Sequence, residues 1–190
     1  MNIDGSNPRQ LTNGNGEDNG TCSPDGRSVI YTSFDSKAAN DRTTLWKVSI
    51  DGGSPVQLTK KPSAWPAISP DGKLIACYYR NDLNVPWQMA IIPSEGGEPI
   101  KSFDSIAVSR LVAQLLPVAW TPDGQAISYI SSPGGSSNIW SQPVAGGAPR
   151  QVTDFTSDQI FSFDWSLDHN QLVCARGTLT ADVVMISISR

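Results

Sequence analysis

A short turn motif recurs along this 190-residue chain at a nearly constant interval. Each complete copy has Ser or Thr followed by Pro, Asp and Gly, and the copies begin at Ser23, Ser69 and Thr121. A degenerate fourth copy, Ser-Leu-Asp-His-Asn, begins at Ser166. Counted from aspartate to aspartate, the copies are 46, 52 and 45 residues apart. A repeat of this length predicts one supersecondary unit per copy, with neighbouring units stacked on each other.

A second motif, a Gly-Gly pair followed by a short outer segment, keeps the same phase between the turn copies. The pairs are Gly52-Gly53, Gly96-Gly97 and Gly146-Gly147, and Ile3-Asp4-Gly5 with Gln10-Leu11-Thr12 is half of a fourth copy. Each unit then has the order strand, turn, strand, loop, strand, turn, strand. We therefore predict an all-β fold, a β-propeller of about four four-stranded antiparallel blades that is part of a larger propeller.

The chain is predicted to be one partial propeller domain. Its blades are predicted at residues 13–59, 60–103, 104–153 and 154–190, with residues 1–12 as an orphan outer strand. The first strands are predicted to end at Cys22, Ile68, Trp120 and Trp165. The fourth strands are predicted at Val56–Thr59, Pro99–Lys101 and Arg150–Thr153, with Arg9–Thr12 as the orphan and Val183–Ile188 as the last third strand.

The Asp and Gly residues of the turn motif have a local structural explanation. Proline presets φ at the first corner, aspartate bonds the backbone beyond it, and glycine accepts a positive φ. These needs require no ligand, so the motif is interpreted as architecture. The residues given this structural role are Asp25, Gly26, Asp71, Gly72, Asp123 and Gly124.

Composition excludes several classes of function. A net charge of −4 without a run of basic residues argues against binding nucleic acid. No apolar stretch reaches the roughly 20 residues needed to cross a bilayer, so we expect no membrane contact by this segment. The three cysteines follow no metal-ligand spacing, and we expect no metal.

Catalytic motifs are also missing from the sequence. It has no G-x-S-x-G elbow, no P-loop and none of the protein-kinase signatures. The sole histidine, His169, lies in the degenerate turn without acidic or cysteine neighbours that would form a triad or metal site. We therefore expect this chain to have no catalytic residues and no cofactor.

Binding residues are predicted on the rim opposite the turns, where the longer connections lie, because loops on a rigid scaffold carry recognition. The candidates are the charged residues Arg42, Arg80, Asp82, Asp158 and Arg176. The alternative for each is a solvated loop charge without a role. Trp65 and Trp87 lie near these loops, where either an aromatic platform or ordinary core packing would explain them. Residues 104–116 are predicted to be an insertion, packed over the propeller or docking a partner.

The two motifs together resemble those of the TolB-like propellers, relatives of the WD-repeat propellers. Cys22 and Ile68 depart from the pattern, since the family tends to place Trp there. The stretch from Ala119-Trp120 to Ile186-Ser187 resembles the C-terminal end of propellers attached to bacterial serine/threonine protein kinases and sometimes to winged-helix regulators. This resemblance implies a missing N-terminal part and an extracytoplasmic, periplasmic propeller in the parent protein.

The function implied is a non-catalytic sensory module that binds a protein or small-molecule ligand. Two alternatives stay open: a TolB-like periplasmic interaction protein, and the N-terminal propeller of a prolyl-oligopeptidase-type hydrolase. The blade number is open too. As a fragment, the chain would have unpaired blade edges that favour self-association. Alternatively, Arg9–Thr12 would pair with the last blade and close the ring.

Overall fold

The computed structural model describes residues 4–14, 16–35, 42–108, 117–132, 135–166 and 171–178, with backbone alone at 35, 42 and 104–108. These residues form three four-stranded antiparallel sheets and one two-stranded sheet, each built from consecutive strands. No helix among them is long and apolar enough to cross a bilayer. The fold is the all-β propeller predicted from the repeat.

Each sheet is one blade, and its strands run outward in chain order. Blade 1 consists of β1 (Glu17–Cys22), β2 (Ser28–Asp35), β3 (Arg42–Ser49) and β4 (Val56–Gln57). Blade 2 consists of β5 (Ser63–Ile68), β6 (Leu74–Tyr79), β7 (Trp87–Pro93) and β8 (Lys101–Val108). Blade 3 consists of β9 (Val118–Trp120), β10 (Ala126–Ser131), β11 (Asn138–Pro143) and β12 (Arg150–Gln151). The described part of blade 4 consists of β13 (Gln159–Trp165) and β14 (Leu172–Gly177).

The four first strands end at the predicted residues, Cys22, Ile68, Trp120 and Trp165. They end there because each is followed directly by the turn motif, which fixes the chain reversal. The predicted strand Val183–Ile188 and the degenerate turn residues 167–170 lie outside the described residues.

The outer strands in the described residues depart from the predicted bounds. The fourth strand of blade 2 begins at Lys101 rather than Pro99 and continues to Val108, so the predicted blade boundary after residue 103 falls inside β8. Lys101, Ser102 and Phe103 pair with Ile91, Ala90 and Met89, and Val108 pairs with Trp87 beyond an irregular stretch at residues 104–107. Residues 9–12 belong to no strand of the described sheets.

Residues 9–12 nevertheless contain a local hydrogen bond of the same kind as the one found at the ends of the paired outer strands. The Gln10 Nε2 donates to the Thr12 carbonyl oxygen at 2.8 Å. The matching bonds, Gln57 to Thr59 and Gln151 to Thr153, are 2.9 Å and 2.6 Å long. Residues 9–12 therefore resemble the end of an outer strand, but they pair with no strand of the described sheets.

The threonine of this motif ties the outer strand to the third strand where the ladder stops. The Leu45 amide donates to Thr59 Oγ1, and the Ile139 amide donates to Thr153 Oγ1, each at 2.9 Å. A side-chain oxygen thus satisfies a strand amide that would otherwise have no partner.

The hydrophobic core lies between blades, because successive residues of a strand point to opposite faces. On β6, Ile75, Cys77 and Tyr79 pack towards blade 1, where they meet Ile30 and Leu45. The alternate residues pack towards blade 3 in a cluster of Ala76, Tyr78, Met89, Ile91, Phe103, Trp120, Ile127 and Tyr129. Complete burial raises the pKa of the Cys77 thiol to about 12, so it stays protonated as a core residue.

In blades 1, 2 and 3, the outer hairpin touches the outer segment that precedes it around the propeller. The Gly97 amide donates to the Leu58 carbonyl oxygen at 2.9 Å. The Lys101 side chain donates to the Val144 carbonyl oxygen of blade 3. The Arg9 side chain donates to the Asp51 carbonyl oxygen of blade 1. Residues 9–12 therefore contact blade 1 where a preceding blade's outer strand would lie.

Candidate functional site

The three complete turn motifs make the same set of hydrogen bonds. In the first, Ser23 Oγ and the Arg27 amide donate to Asp25 Oδ1 at 2.6 Å and 3.0 Å. The bonds at Asp71 are 2.7 Å and 3.1 Å long, and those at Asp123 are 2.6 Å and 3.0 Å long. The glycines Gly26, Gly72 and Gly124 have φ of +68°, +73° and +67°.

These hydrogen bonds lower the pKa of each turn carboxyl. The hydroxyl donor, Ser23, Ser69 or Thr121, is the larger cause in every copy, followed by the backbone amide. A donor to the ionised form favours that form, so the turn aspartates stay charged and bonded to their own turns. Each carboxylate is therefore occupied by its own turn.

The first strands of the four blades line one cavity of roughly 570 Å³. Its lining includes residues from every blade, such as Thr21, Ala67, Ala119 and Asp164. Because the first strand of each blade is the innermost, this cavity lies on the propeller axis, and we call it the axial channel. It extends to the turn rim, since Pro70 and Pro122 also line it.

One repeat position supplies a lining residue from each of the four blades. Two residues before the Ser or Thr of each turn motif stand Thr21, Ala67, Ala119 and Asp164. Three of these side chains are small and uncharged. Among the described lining residues, Asp164 alone has an ionisable side chain. Its Oδ1 accepts the Trp165 amide at 2.8 Å, and it is exposed.

Aromatic side chains form part of the wall beside Asp164. Trp120, Phe163 and Trp165 all line the channel. The Trp120 indole N–H donates to the Ala67 carbonyl oxygen at 2.8 Å, which links blade 3 to blade 2. The equivalent indole nitrogen of Trp165 is buried and has no hydrogen-bond partner among the described residues.

The innermost strands also contain bulges at matching positions. β1 is irregular between Asp18 and Thr21, and β5 between Ala64 and Ala67. Asn19 and Trp65, at equivalent repeat positions, have φ of +53° and +57°. A tryptophan in this left-handed region is strained, and the Thr32 hydroxyl of blade 1 holds its backbone by accepting the Trp65 amide at 3.2 Å.

The structure places Arg80 in the interior of blade 2. Arg80 is only 4% exposed, and its guanidinium lies 4.5 Å from the centre of the buried Trp87 ring. It also donates to the Leu83 carbonyl oxygen at 3.1 Å. These contacts make Arg80 and Trp87 a support for the β6–β7 loop, and they remove Trp87 as an exposed aromatic platform.

Asp82 lies on the same loop but faces solvent. Its Oδ1 accepts the Asn84 amide at 2.9 Å, which closes a local turn. With Lys60 and Lys61 it lines a cleft of roughly 510 Å³ between the β4–β5 and β6–β7 connections. The Lys61 ammonium donates to the Asn81 carbonyl oxygen at 3.1 Å across this cleft.

Asp158 and Arg176 come together at the border of blades 3 and 4. Arg176 Nη2 lies 3.3 Å from Asp158 Oδ2 and donates to the Ser157 carbonyl oxygen at 3.0 Å. Its guanidinium also lies 3.9 Å from the centre of the Phe155 ring. Asp158 has a φ of +65°, and its carbonyl oxygen accepts the Ser137 amide at 3.3 Å. The pair thus fastens the β12–β13 connection to β14.

The predicted binding residues therefore fall into two separate loop groups. Arg80 and Asp82 belong to blade 2, whereas Asp158 and Arg176 belong to blade 4 and its entry. Arg42 begins β3, and its side chain lies outside the described part of the structure. The predicted insertion at 104–116 begins as the end of β8, and its remainder, residues 109–116, also lies outside the described residues.

Sequence reasoning missed Asp164 and the axial channel. The available signal was the repeat itself: aligning the four turn motifs shows one carboxylate where the other blades have Thr or Ala. The cavity also lies towards the turn rim, opposite the rim on which binding residues were predicted. Within the described residues, no cluster of three or more His, Cys, Asp or Glu side chains could hold a metal ion.

Comparison with known proteins identifies the fold through structure rather than sequence. No family model matches the sequence, and no curated protein resembles it significantly. TolB from Acinetobacter baumannii superposes with a TM-score of 0.72 and 20% identity over 90% of this chain and 41% of that one. A putative TolB from Agrobacterium tumefaciens gives 0.65 and 22% over 84% and 53%.

Propellers of peptidases have the same architecture at a greater distance. A structure from a study of two prolyl endopeptidases gives a TM-score of 0.56 and 14% identity, covering 85% of this chain and 26% of that one. This chain thus spans about half or less of the length of these structures. At such low identities the likeness is one of fold, and the chain has the β-propeller fold of the TolB-like proteins.

Proposed function

We propose that this chain is a non-catalytic recognition module that binds a protein or small-molecule ligand at the axial channel. The observation that carries the proposal is the channel itself, to which all four described blades contribute first-strand residues. Its volume of roughly 570 Å³ lies within the range of about 300–1,000 Å³ that is usual for ligand sites. A mixture of aromatic walls and a few polar groups is the usual chemistry of such sites.

The charged loop residues also favour the axial channel as the binding site, because Arg80 and Arg176 among them already have partners. Arg80 is packed against Trp87, and Arg176 is paired with Asp158 and stacked on Phe155. Side chains held in this way stabilise loops and would need to break existing contacts to bind a ligand. Asp164 accepts one amide from the next residue and keeps its remaining lone pairs for other donors.

Site-specific photo-crosslinking tests the location of binding. The photoreactive residue p-benzoylphenylalanine is placed at Ala119, inside the channel, or at Val56, on the exposed outer strand of blade 1. The proposal expects a discrete crosslinked product from the Ala119 position in cells that express the parent protein. Equal products from both positions, or products from Val56 alone, would contradict binding at the channel.

We further propose that the parent protein is a bacterial serine/threonine protein kinase or transcriptional regulator in which this propeller is the sensory part. Support comes from the sequence between Ala119 and Ser187, which resembles the end of kinase-attached propellers. The reading frame around the segment tests this. A kinase or winged-helix domain upstream agrees with it, whereas a hydrolase domain downstream would replace it with the peptidase alternative. ATP turnover by this chain alone would contradict a non-catalytic role.

A TolB-like interaction protein is the second candidate, because two TolB structures superpose over 84% or more of this chain. This candidate expects a secretory signal upstream and no kinase domain, so the same reading frame separates the two. The axial channel is the proposed binding site in either case.

A further inference from the structure

We propose that the axial channel selects a ligand group with one positive charge on an otherwise apolar body, and that Asp164 supplies the opposite charge. The inference rests on the proposed function, since it names the ligand chemistry of the same channel. The ligand group is an ammonium or guanidinium, carried either by a peptide side chain or by a free organic amine.

The first argument is the charge asymmetry within a repeated position. Thr21, Ala67, Ala119 and Asp164 occupy the same place in four blades and line one cavity. A carboxylate is not needed there to form a blade, because the other three blades form with Thr or Ala. Asp164 is the cross-strand partner of Val173 on the face of blade 4 that no described blade covers, and its exposed carboxylate is therefore free to meet a ligand.

The second argument is that Asp164 differs from the turn aspartates in its partners. Asp25, Asp71 and Asp123 each accept a hydroxyl and an amide from their own turn, and Lys73 lies 3.7 Å from Asp71. No Lys or Arg among the described residues forms an ion pair with Asp164. A cation entering the channel would thus meet a carboxylate that no internal cation neutralises.

The third argument is the wall around the carboxylate. Trp165 is partly exposed, and Phe163 and Trp120 also line the channel, although they are only 6% and 7% exposed. The remaining apolar lining consists of Pro66, Ile68, Pro70, Pro117, Val118 and Pro122. Aromatic faces attract cations as well as apolar groups, so this wall suits a cationic ligand with an apolar body.

The fourth argument is size. A cavity of roughly 570 Å³ accommodates one or two side chains or a small amine, and it is too small for a folded domain. A protein partner would therefore insert a short segment carrying a single Lys or Arg. A ligand with a carboxylate in the same place would be repelled by Asp164.

The test is a titration of the whole chain followed by the indole signals of Trp120 and Trp165 in ¹⁵N-correlated NMR spectra. The probes are phenethylamine, which carries an ammonium, and its neutral analogue 2-phenylethanol. A second pair, acetyl-Pro-Lys-Pro-amide and acetyl-Pro-norleucine-Pro-amide, separates a peptide source from a free amine. We expect the cationic member of a pair to shift the Trp165 indole signal at lower concentration than its neutral partner.

Variants identify the carboxylate responsible. Asp164→Asn keeps an oxygen that can accept the Trp165 amide and removes only the charge, so we expect phenethylamine to bind about fivefold more weakly. Asp18→Asn is the matched control, because Asp18 is also exposed and accepts the amide of the next residue at 2.7 Å, but it does not line the channel. Ala119→Lys, at the equivalent position of blade 3, should abolish binding of the cationic probe.

The possible results separate this inference from the proposed function. Equal binding of the cationic and neutral probes, or equal weakening by Asp164→Asn and Asp18→Asn, would overturn the charge preference and leave the channel as a ligand site. If no probe moves the Trp165 signal, neither the charge preference nor the location of binding survives. Loss of binding in 0.5 M salt would agree with the inference, because added ions screen the attraction of about one charge pair.

Discussion

Exposed aspartates of this chain have different roles because their local donors differ. Asp71 accepts the Ser69 hydroxyl and the Lys73 amide within one turn, whereas Asp164 accepts only the amide of Trp165. The first arrangement fixes the backbone and lowers the pKa of the carboxyl. The second leaves most of the carboxylate available to a ligand. Residue type and exposure alone would not distinguish them.

The lowered pKa values of the turn aspartates predict that the folded chain loses stability in acid. Their pKa values are lower in the folded chain than the usual 3.8, mainly because the Ser or Thr hydroxyl donates to each carboxylate. Their contribution is therefore complete above the unfolded pKa and disappears as the pH falls through the folded pKa. Replacing all three with Asn removes this dependence while keeping an acceptor oxygen.

Urea unfolding from about pH 7 to about pH 2 measures the effect. The triple variant combines Asp25→Asn, Asp71→Asn and Asp123→Asn. Its free energy of unfolding at neutral pH should be lower than that of the unsubstituted chain. The difference should vanish near the acid end. A difference that stays constant over the whole range would show that these carboxylates do not stabilise the turns through their charge.

At the scale of single residues, the sequence predicted the role of the turn aspartates but not the roles of Arg80 and Arg176. The turn motif carries its own explanation, because Pro, Asp and Gly within five residues determine a local conformation. The role of Arg80 depends on Trp87, which lies across a loop, and that of Arg176 depends on Phe155, which lies on another connection. No local pattern encodes such contacts, so both arginines resembled free loop charges in the sequence.

Among the elements, the outer hairpins show how closely neighbouring blades approach. Gly96 has a φ of +90°, and a β-carbon there would lie 2.6 Å from the Leu58 carbonyl oxygen of blade 1. Gly146 occupies the same place in blade 3 with a φ of +111°, but a β-carbon there would meet only the end of the Lys101 side chain, at 3.5 Å. Both glycines have a positive φ, but only at Gly96 would a β-carbon collide with backbone atoms of the neighbouring blade.

Substituting these two glycines separates steric contact from backbone strain. Gly96→Ala should lower the free energy of unfolding by about 2 kcal/mol more than Gly146→Ala, because backbone atoms of Leu58 cannot move aside easily. Thermal or urea unfolding of both variants provides the measurement. Equal losses would mean that the hairpin of blade 2 can shift away from blade 1 at little cost.

Strand positions were predictable to the extent that a turn motif marks their ends. All four first strands end where predicted, whereas the extension of β8 to Val108 was missed. The reason is that Val108 pairs with Trp87 across an irregular stretch of the ladder, a long-range contact that the pattern of residues 101–108 does not encode. Residues 9–12 show the opposite case, since they carry the outer-strand pattern but have no paired neighbour in the described sheets.

Considered as a whole molecule, the described blades leave an apolar surface at one end of the series. Phe161 and Val173 of blade 4 are 41% and 61% exposed, and Val173 stands at the repeat position of Ala76, which packs between blades 2 and 3. Exposed apolar sheet faces of this kind promote association. We expect the isolated chain to self-associate as its concentration rises.

Light scattering coupled to size-exclusion chromatography measures this association, and Val173→Lys provides the test. The lysine should shift the population towards the monomer without loss of folding, because Val173 is mostly exposed. Ile100→Lys, at a 61% exposed position on the outer edge of blade 2, is the control. If both variants associate like the parent chain, the face of blade 4 is not the contact.

The arrangement of the channel wall has a consequence for how its preference can change. Four strands from four separate sheets each contribute one side chain to the same level of the axis, at positions 21, 67, 119 and 164. Ala67 and Ala119 pack at the margins of clusters between blades, whereas Thr21 and Asp164 belong to none of these clusters. Single substitutions at these four positions could thus change the ligand preference one blade at a time during evolution, while every hairpin keeps its shape.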